Sequence, residues 1–571
     1  MSGAPASRPS RPARPAWSAS FWPVSLAVTV VAFGVGVVKL VTDFGKPYYH
    51  YGDQAVLASR VGDAMRFHVE LGPYSRFGWS HPGPALFYLQ APIYSLSNTN
   101  PRSLFVGSLL INGICIVAAL AVVRRFAGEW SALWAAAVVG VTLLALGANA
   151  IETFWNPDLE AAGVLLVMVL TAGAIAGSGL SVLGLAVVGS YVVQTDVGTV
   201  PIIGVMAVAS VIGYFVQLVV RRRHRRRRRN RRRAERRTVR LFPLVAAAAG
   251  VAVLAVAWIP PLAQQFRGHP GNLTALYDFF TNPTATAAKF GSTHSLSAAW
   301  AVVANSTTAV PFGNVSNTAV MTTASAGRQW TVVVWAGLAV IGLVWAVWRR
   351  RWFAFGLGFT TLVGLAVSVI AVERIVGPIG NYLGFWMQLV PVPAVVAIGV
   401  LTVEARQPRP APADSPTDSP TVSPVWWRVG IGWALAVVLV LPMVGVAGQL
   451  GRGSALVDST GNPEIAQLTG FTTAHLKLSS ARDVLVVMGN ADRWPEASGL
   501  VLQLSNDGYH PTVTPTWGFM FTPRYVAGSA PQAQVVLTDG TGTSAPATAL
   551  SQTYSLGDVP TTITFVPAPT G

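Results

Sequence analysis

The sequence predicts an α-helical polytopic membrane protein of about eleven transmembrane helices, with a small extracytoplasmic C-terminal α/β domain. Three observations predict it. Apolar residues make up 52% of the 571-residue chain and charged residues only 11%, whereas a soluble globular chain carries about a quarter charged residues. Apolar stretches of about twenty residues recur as far as residue 447, the length a helix needs to cross the hydrocarbon with its backbone hydrogen-bonded throughout. Dense basic clusters fall on alternate connections between those stretches.

Taken in order, residues 1–21 hold Arg8, Arg11 and Arg14 among prolines and serines and read as a disordered cytoplasmic tail without a cleavable signal. The membrane domain is expected over 22–447, with spans beginning near Trp22, Ser103, Ser131, Leu159, Leu180, Val200, Leu241, Trp330, Trp352, Leu383 and Trp427. The Leu180 segment is short, and the Leu383 segment contains Pro391 and Pro393. With the N-terminus inside, strict alternation puts Arg124–Arg125, the run Arg221–Arg240, Arg349–Arg351 and Arg406 with Arg409 on the cytoplasmic face, as positive charge in short loops requires. The opposite face then receives the first loop (42–102), the short loop Glu152–Asp158, the turn at Thr195–Asp196, the loop from Ala263 to Gln329 and the turn Glu373–Arg374. A cytoplasmic linker rich in Pro, Ser and Thr is expected over 404–426.

Beyond it, residues 448–571 read as an aqueous domain. Asp483–Met488 and Gln534–Leu537 suit strands, Pro495–Leu504 suits a helix, and Asn506-Asp507-Gly508 suits a turn before another extended segment.

The net charge of +17 is local, because fourteen arginines lie between Arg221 and Arg240. That run lacks the interleaved aromatics of a stacking nucleic-acid site, and a cytoplasmic polybasic loop against anionic lipid explains it; no nucleic-acid partner is expected. The single cysteine, Cys115, excludes an intramolecular disulfide and a cysteine metal cluster. The chain has no Walker loop, dinucleotide fingerprint, HExxH motif or nucleophile elbow.

Chemistry concentrates between Tyr48 and Tyr94, where Asp53, Asp63, Arg66, His68, Glu70, Arg76 and His81 stand among Tyr, Trp and Phe. An interfacial belt accounts for the aromatics. Asp53 has two readings: a partly desolvated carboxylate at the mouth of the bundle, suited to accept a proton from a hydroxyl, or the cap of a helix running from Gln54 to Met65. Asp158, after the turn starter Asn156-Pro157, reads first as the N-cap of the fourth span. Pro260-Pro261 is expected to break the seventh span. Past it, Gln265 and His269 gather at the interface ahead of an amphipathic helix from Leu273 to Phe280. Arg374 sits at headgroup depth, as a snorkelling side chain, as the partner of Glu373, or as a bidentate holder of phosphate.

The Gly52-Asp53 pair after the first span, the amphipathic helix, and His81-Pro82 before the second resemble the GT-C superfamily of membrane glycosyltransferases, in particular the branch of protein O-mannosyltransferases and the aminoarabinose transferase. The wording YSRFGWSHPGP and the later Trp–Pro-Pro–Gln–Gly-Asn-Leu pattern are similar to actinobacterial membrane glycosyltransferases. The resemblance implies a sugar transferred from a polyprenyl-phosphate donor to an envelope glycan, lipid or protein on the extracytoplasmic face. It implies Asp53 as the catalytic base and Arg374 as the donor-phosphate residue. Glu152, His81, Asp158, Gln265 and His269 become auxiliary or acceptor-binding residues, Asp196 being a weaker candidate of the same kind. His81-Pro82-Gly83-Pro84 departs from the family's His-Pro-Pro pattern. The residues themselves name no cofactor, and the resemblance leaves Mg or Mn open. The competing reading is a transporter or flippase of envelope precursors, which would place ionisable residues near the bilayer midplane in repeated halves. A non-catalytic assembly protein, for which eleven spans are far more than an anchor needs, comes last.

Overall fold

A computed structural model of the chain describes residues 22–229, 241–312, 329–405, 425–528, 531–540, 549–554 and 560–567. The tail expected over 1–21, the second half of the basic run and most of the 404–426 linker lie outside the described residues.

Up to residue 229 the helices are α1 (Trp22–Thr42), α2 (Gly52–Ala64), α3 (Ala85–Leu96), α4 (Ser103–Ala127), α5 (Glu129–Leu146), α6 (Ala148–Glu152), α7 (Asn156–Leu159), α8 (Ala161–Ile175), α9 (Gly179–Thr195) and α10 (Val200–Arg229). Then come α11 (Leu241–Arg267), α12 (Asn272–Thr281), α13 (Pro283–Phe290), α14 (Leu296–Phe312), α15 (Trp330–Arg349) and α16 (Trp352–Glu373). A 3-10 segment (Asn381–Leu389) leads into α17 (Val392–Ala405), followed by α18 (Val425–Arg452), α19 (Ala455–Asp458), α20 (Glu464–Leu478) and α21 (Trp494–Asn506). Among the described residues, ten helical stretches are long and apolar enough to cross a membrane, and α9 is a shorter apolar helix. Together they occupy the eleven places read from the sequence, with the Leu180 segment as the short one.

The bundle is built around α8, which is apolar all round and buried along its whole length, the pattern of a helix with no lipid-facing side. Small residues let its neighbours approach closely. A Cβ on Gly356 of α16 would lie 2.5 Å from the Ala172 Cα. The two prolines of α11 do not break it; the helix continues through Pro260 and Pro261 to Arg267. Proline at 261 leaves the carbonyl of residue 257 without its helical donor, and Gln194 Nε2 donates to that Ala257 oxygen at 3.2 Å. A neighbouring side chain therefore satisfies the freed group, which is how membrane helices tolerate proline.

The C-terminal strands β1 (Asp483–Met488), β2 (His510–Val513), β3 (Ala533–Asp539), β4 (Leu550–Tyr554) and β5 (Thr561–Pro567) form one sheet in the order β2-β1-β3-β5-β4. β1 pairs in parallel with β2 and β3, and β5 is antiparallel to β3 and β4. The strand and helix read over 483–488 and 495–504 thus form where expected.

The sheet domain is not a detached tail. Val56 of α2, from the first long loop, is buried in the domain's core with Ile465, Val486 and Leu500. Arg60 of α2 is buried and donates to the carbonyls of Met520 (2.9 Å) and Gly72 (2.7 Å). Asp63 accepts from the Thr522 hydroxyl and pairs with Arg524 Nε at 2.6 Å. On α4's leading edge, Arg102 is buried and reaches the carbonyls of Val457 and Ser459. The helix of the first loop is thereby shared between the bundle and the α/β domain, and its N-terminus is held in a fixed place.

Candidate active site

Gly52 has a positive φ of +57°, which turns the chain from the extended Tyr51 into α2, a conformation that favours glycine. The N-terminus of α21 meets it there: Gly52 faces Trp494 and Pro495, and Ser498 Oγ donates to the Gly52 carbonyl at 3.2 Å. Asp53 follows as the second residue of α2. It does not cap the helix; Tyr51 occupies the N-cap position without a side-chain hydrogen bond. The Asp53 carboxylate instead accepts from the Tyr74 hydroxyl. Burial raises its pKa, opposed by the Tyr74 and Trp155 side chains, which stabilise the ionised form.

Tyr74 stands on a hairpin between Gly72 and His81. Tyr74 pairs with Ser80, Ser75 N–H donates to Trp79 O at 2.9 Å, and Gly72 N–H donates to His81 O at 3.1 Å. Asn272, at the start of α12, clamps the returning strand: its amide donates to Ser80 O at 2.8 Å, and its oxygen accepts from Ser80 N at 2.9 Å. The hairpin tip carries Arg76 and Phe77. Phe77 packs on Phe279 and Phe290, while Arg76 donates to Pro378 O at 2.7 Å.

That last bond reaches the loop behind Arg374. The loop is held from the other side too, by His294 Nε2 on Gly377 O (2.8 Å) and Gly377 N on Ser292 O (3.1 Å). Gly377 has φ +71°, and a Cβ there would meet Phe290 O at 2.6 Å, so only glycine fits. Arg374 itself is exposed at the end of α16. Among the described residues its guanidinium pairs neither with Glu373 nor with any other acid.

Asp53, Arg76, His81, Asp196 and Arg374 all line one cavity of about 690 Å³ at the end of the bundle that carries the α/β domain. Its remaining walls are largely apolar and aromatic, including Phe279 and Phe280 of α12 and Trp386. The amphipathic helix read over 273–280 is therefore a cavity wall. His81 is buried, and its Nδ1 accepts from Val197 N–H at 2.9 Å. The proton of the neutral ring thus sits on Nε2. Because Nδ1 accepts from Val197, its 3.7 Å approach to Asp196 Oδ1 is not a hydrogen-bonded pair; burial lowers the His81 pKa, with Asp196 opposing. Among the described residues no group of three or more His, Cys, Asp or Glu gathers as a metal site.

The structure separates four other sequence candidates from this cavity. Glu152 is fully buried, and its Oε2 accepts from Ser454 N at 3.1 Å, which ties α6 to the start of α19. Asp158 is buried inside α7 rather than at its cap, although Asn156 and Pro157 before it do line the cavity. Gln265 Oε1 accepts from Leu273 N at 2.8 Å and Thr274 N at 3.2 Å, and so satisfies the first turn of α12. His269 is exposed and away from the cavity lining. Conversely, the sequence marks Arg76 only as one member of a dense stretch and does not single out Tyr74; their roles follow from the hairpin register, which a single sequence does not display.

Burial pushes the Glu152 carboxyl from 4.5 up to about 7. A carboxyl whose pKa is raised on folding contributes stability that is complete below its unfolded pKa and is lost as pH rises through the folded value. Glu152 therefore costs the fold stability above neutral pH. Glu152→Gln keeps an acceptor for Ser454 and removes that ionisation. The variant is expected to be more stable than the parent at about pH 8 by up to about 3 kcal/mol, with no difference near pH 4. Thermal unfolding in detergent at both pH values checks this, and a loss of stability at pH 8 contradicts it.

No family model matches the chain, and no curated protein matches it. Among solved structures, the chain is similar to ArnT from Cupriavidus metallidurans bound to undecaprenyl phosphate, with a TM-score of 0.49, 13% identity, and coverage of 94% of this chain and 97% of that one. It is also similar to the oligosaccharyltransferase of Archaeoglobus fulgidus in its apo form, with a TM-score of 0.38, 12% identity, and 92% and 70% of the two chains covered. A third similarity is to the arabinofuranosyltransferase AftD from Mycobacteria, with a TM-score of 0.34, 16% identity, and 80% and 29% covered.

Proposed function

We propose that the chain is a membrane glycosyltransferase that takes a sugar from a polyprenyl-phosphate donor and passes it to an envelope acceptor on the extracytoplasmic face. The observation that carries this reading is the shared cavity. A half-buried carboxylate, Asp53, and an acid-free guanidinium, Arg374, line the same largely apolar space.

The chemistry follows from those groups. Asp53 accepts the proton of an acceptor hydroxyl as its oxygen bonds to the anomeric carbon of the sugar. The bond from that carbon to the phosphate oxygen breaks, and polyprenyl phosphate leaves with the bonding pair. Arg374 holds the charge that collects on the departing phosphate, aided by Arg76, in an environment where apolar walls strengthen the attraction. The apolar and aromatic lining suits the prenyl chain. With the basic ends of α4, α10 and α15 on the cytoplasmic side, this cavity faces outward; those ends would meet anionic lipid headgroups.

The test uses full-length protein in proteoliposomes with decaprenyl-phospho-mannose or decaprenyl-phospho-arabinose, radiolabelled in the sugar, and an envelope extract as acceptor. Label is expected to move from lipid to acceptor with release of decaprenyl phosphate. Arg374→Gln is expected to raise the donor KM about 10- to 100-fold, as for loss of a charge-assisted phosphate contact. Protein-independent label movement, or an unchanged KM in the variant, counts against the assignment.

A further inference from the structure

We propose that Asp196 and His81 form the subsite that reads the sugar ring of the donor, and that this ring is a neutral one recognised through its hydroxyls; the inference rests on the glycosyl-transfer reading above. Both residues line the cavity and both are largely buried, with 12% of the Asp196 side chain and 11% of the His81 side chain exposed. Each is fixed on one side by a backbone N–H: Gly198 N donates to Asp196 Oδ1 at 2.6 Å, and Val197 N donates to His81 Nδ1 at 2.9 Å. Those bonds leave Asp196 Oδ2 and His81 Nε2 without partners among the described residues. Neither atom is sealed off, so a ligand in the cavity can reach both.

The two free atoms have opposite characters, and that selects the ligand. Oδ2 of a carboxylate only accepts, while Nε2–H of this tautomer only donates. An ammonium group would meet the imidazole N–H, and a carboxylate on the sugar would meet Asp196. A hydroxyl both donates and accepts. The 3.7 Å between Asp196 Oδ1 and His81 Nδ1 sets the two side chains next to each other in the cavity wall, within the span of one sugar ring. Trp155 and Tyr382, with centroids 5.1 Å apart, line the same cavity and give the ring an aromatic wall.

The test measures binding to full-length protein in nanodiscs of decaprenyl phosphate, decaprenyl-phospho-mannose and decaprenyl-phospho-arabinose. Asp196→Asn still accepts from Gly198, and His81→Ala removes the donor. Each is expected to weaken at least one sugar-bearing lipid about 10- to 100-fold, the range for a hydrogen bond to a charged or buried group, while bare decaprenyl phosphate binds as it does to the parent. In turnover, the donor KM rises and kcat falls less. Equal weakening of the bare lipid assigns these residues to the scaffold and overturns the subsite. So does unchanged binding of both sugar lipids, or tighter binding of a donor with an amino sugar. Failure of the parent to bind even decaprenyl phosphate overturns the transfer reading itself, and the subsite with it.

Discussion

Asp53→Asn is expected to lower the rate of sugar transfer by about three orders of magnitude or more, with expression, donor binding and unfolding temperature close to those of the parent. General-base catalysis contributes about 10²- to 10⁴-fold, or roughly 3–5 kcal/mol of barrier. The asparagine oxygen still accepts from the Tyr74 hydroxyl, so the hairpin keeps its anchor. What the variant loses is the lone pair that takes the proton.

The pH profile separates this role from a structural one. Only ionised Asp53 is a base, and burial raises its pKa. Activity at subsaturating acceptor should therefore climb with pH through that raised value and level off above it. Tyr74→Phe removes a donor that stabilises the anion, so the acid limb should move to higher pH while the plateau survives. Full activity in Asp53→Asn, or a Tyr74→Phe limb that moves to lower pH, removes Asp53 from the chemistry.

The spans were legible because hydrocarbon imposes a length on any helix whose backbone must satisfy itself, and that constraint acts locally. The same reasoning misjudged Pro260-Pro261, because the partner for the carbonyl of Ala257 is Gln194, far away in sequence. Position alone leaves Asp53 open as a helix cap and Arg374 open as a snorkelling or Glu373-paired side chain; the family resemblance is what makes them candidates. Glu152, Gln265 and His269 show the limit of that argument. A polar residue at an interface looks alike in sequence whether it faces a cavity, caps a helix or bonds a distant backbone, and Glu152 does the last, with Ser454. Asp196 lies in the same cavity wall as His81, an arrangement the sequence does not show. Only the hairpin brings His81 next to it.

Arg60→Ala should be among the most damaging single substitutions in the chain, costing about 3–5 kcal/mol. Arg60 is 3% exposed and gives its guanidinium to Gly72 O, at the base of the hairpin, and to Met520 O, in the α/β domain. Truncation leaves both carbonyls buried without donors, at roughly 1–3 kcal/mol each, and leaves a space where the side chain lay, with a further penalty. The consequence is positional as well as energetic. α2 carries Asp53 at one end and is pinned to the domain by Val56, Arg60 and Asp63, while Tyr74, which holds the Asp53 carboxylate, follows directly on the Gly72 anchor. Arg60→Ala should thus expose the segment around Met520 to proteolysis, lower the unfolding temperature and slow transfer together, with donor binding at Arg374 less affected. Arg60→Lys retains the charge but has no planar fork to span two carbonyls in different elements, so it should fall between the parent and the alanine variant. If Arg60→Ala instead unfolds at the parental temperature and resists protease equally well, α2 is not the strut between bundle and domain, and the placement of Asp53 must come from the helices around it.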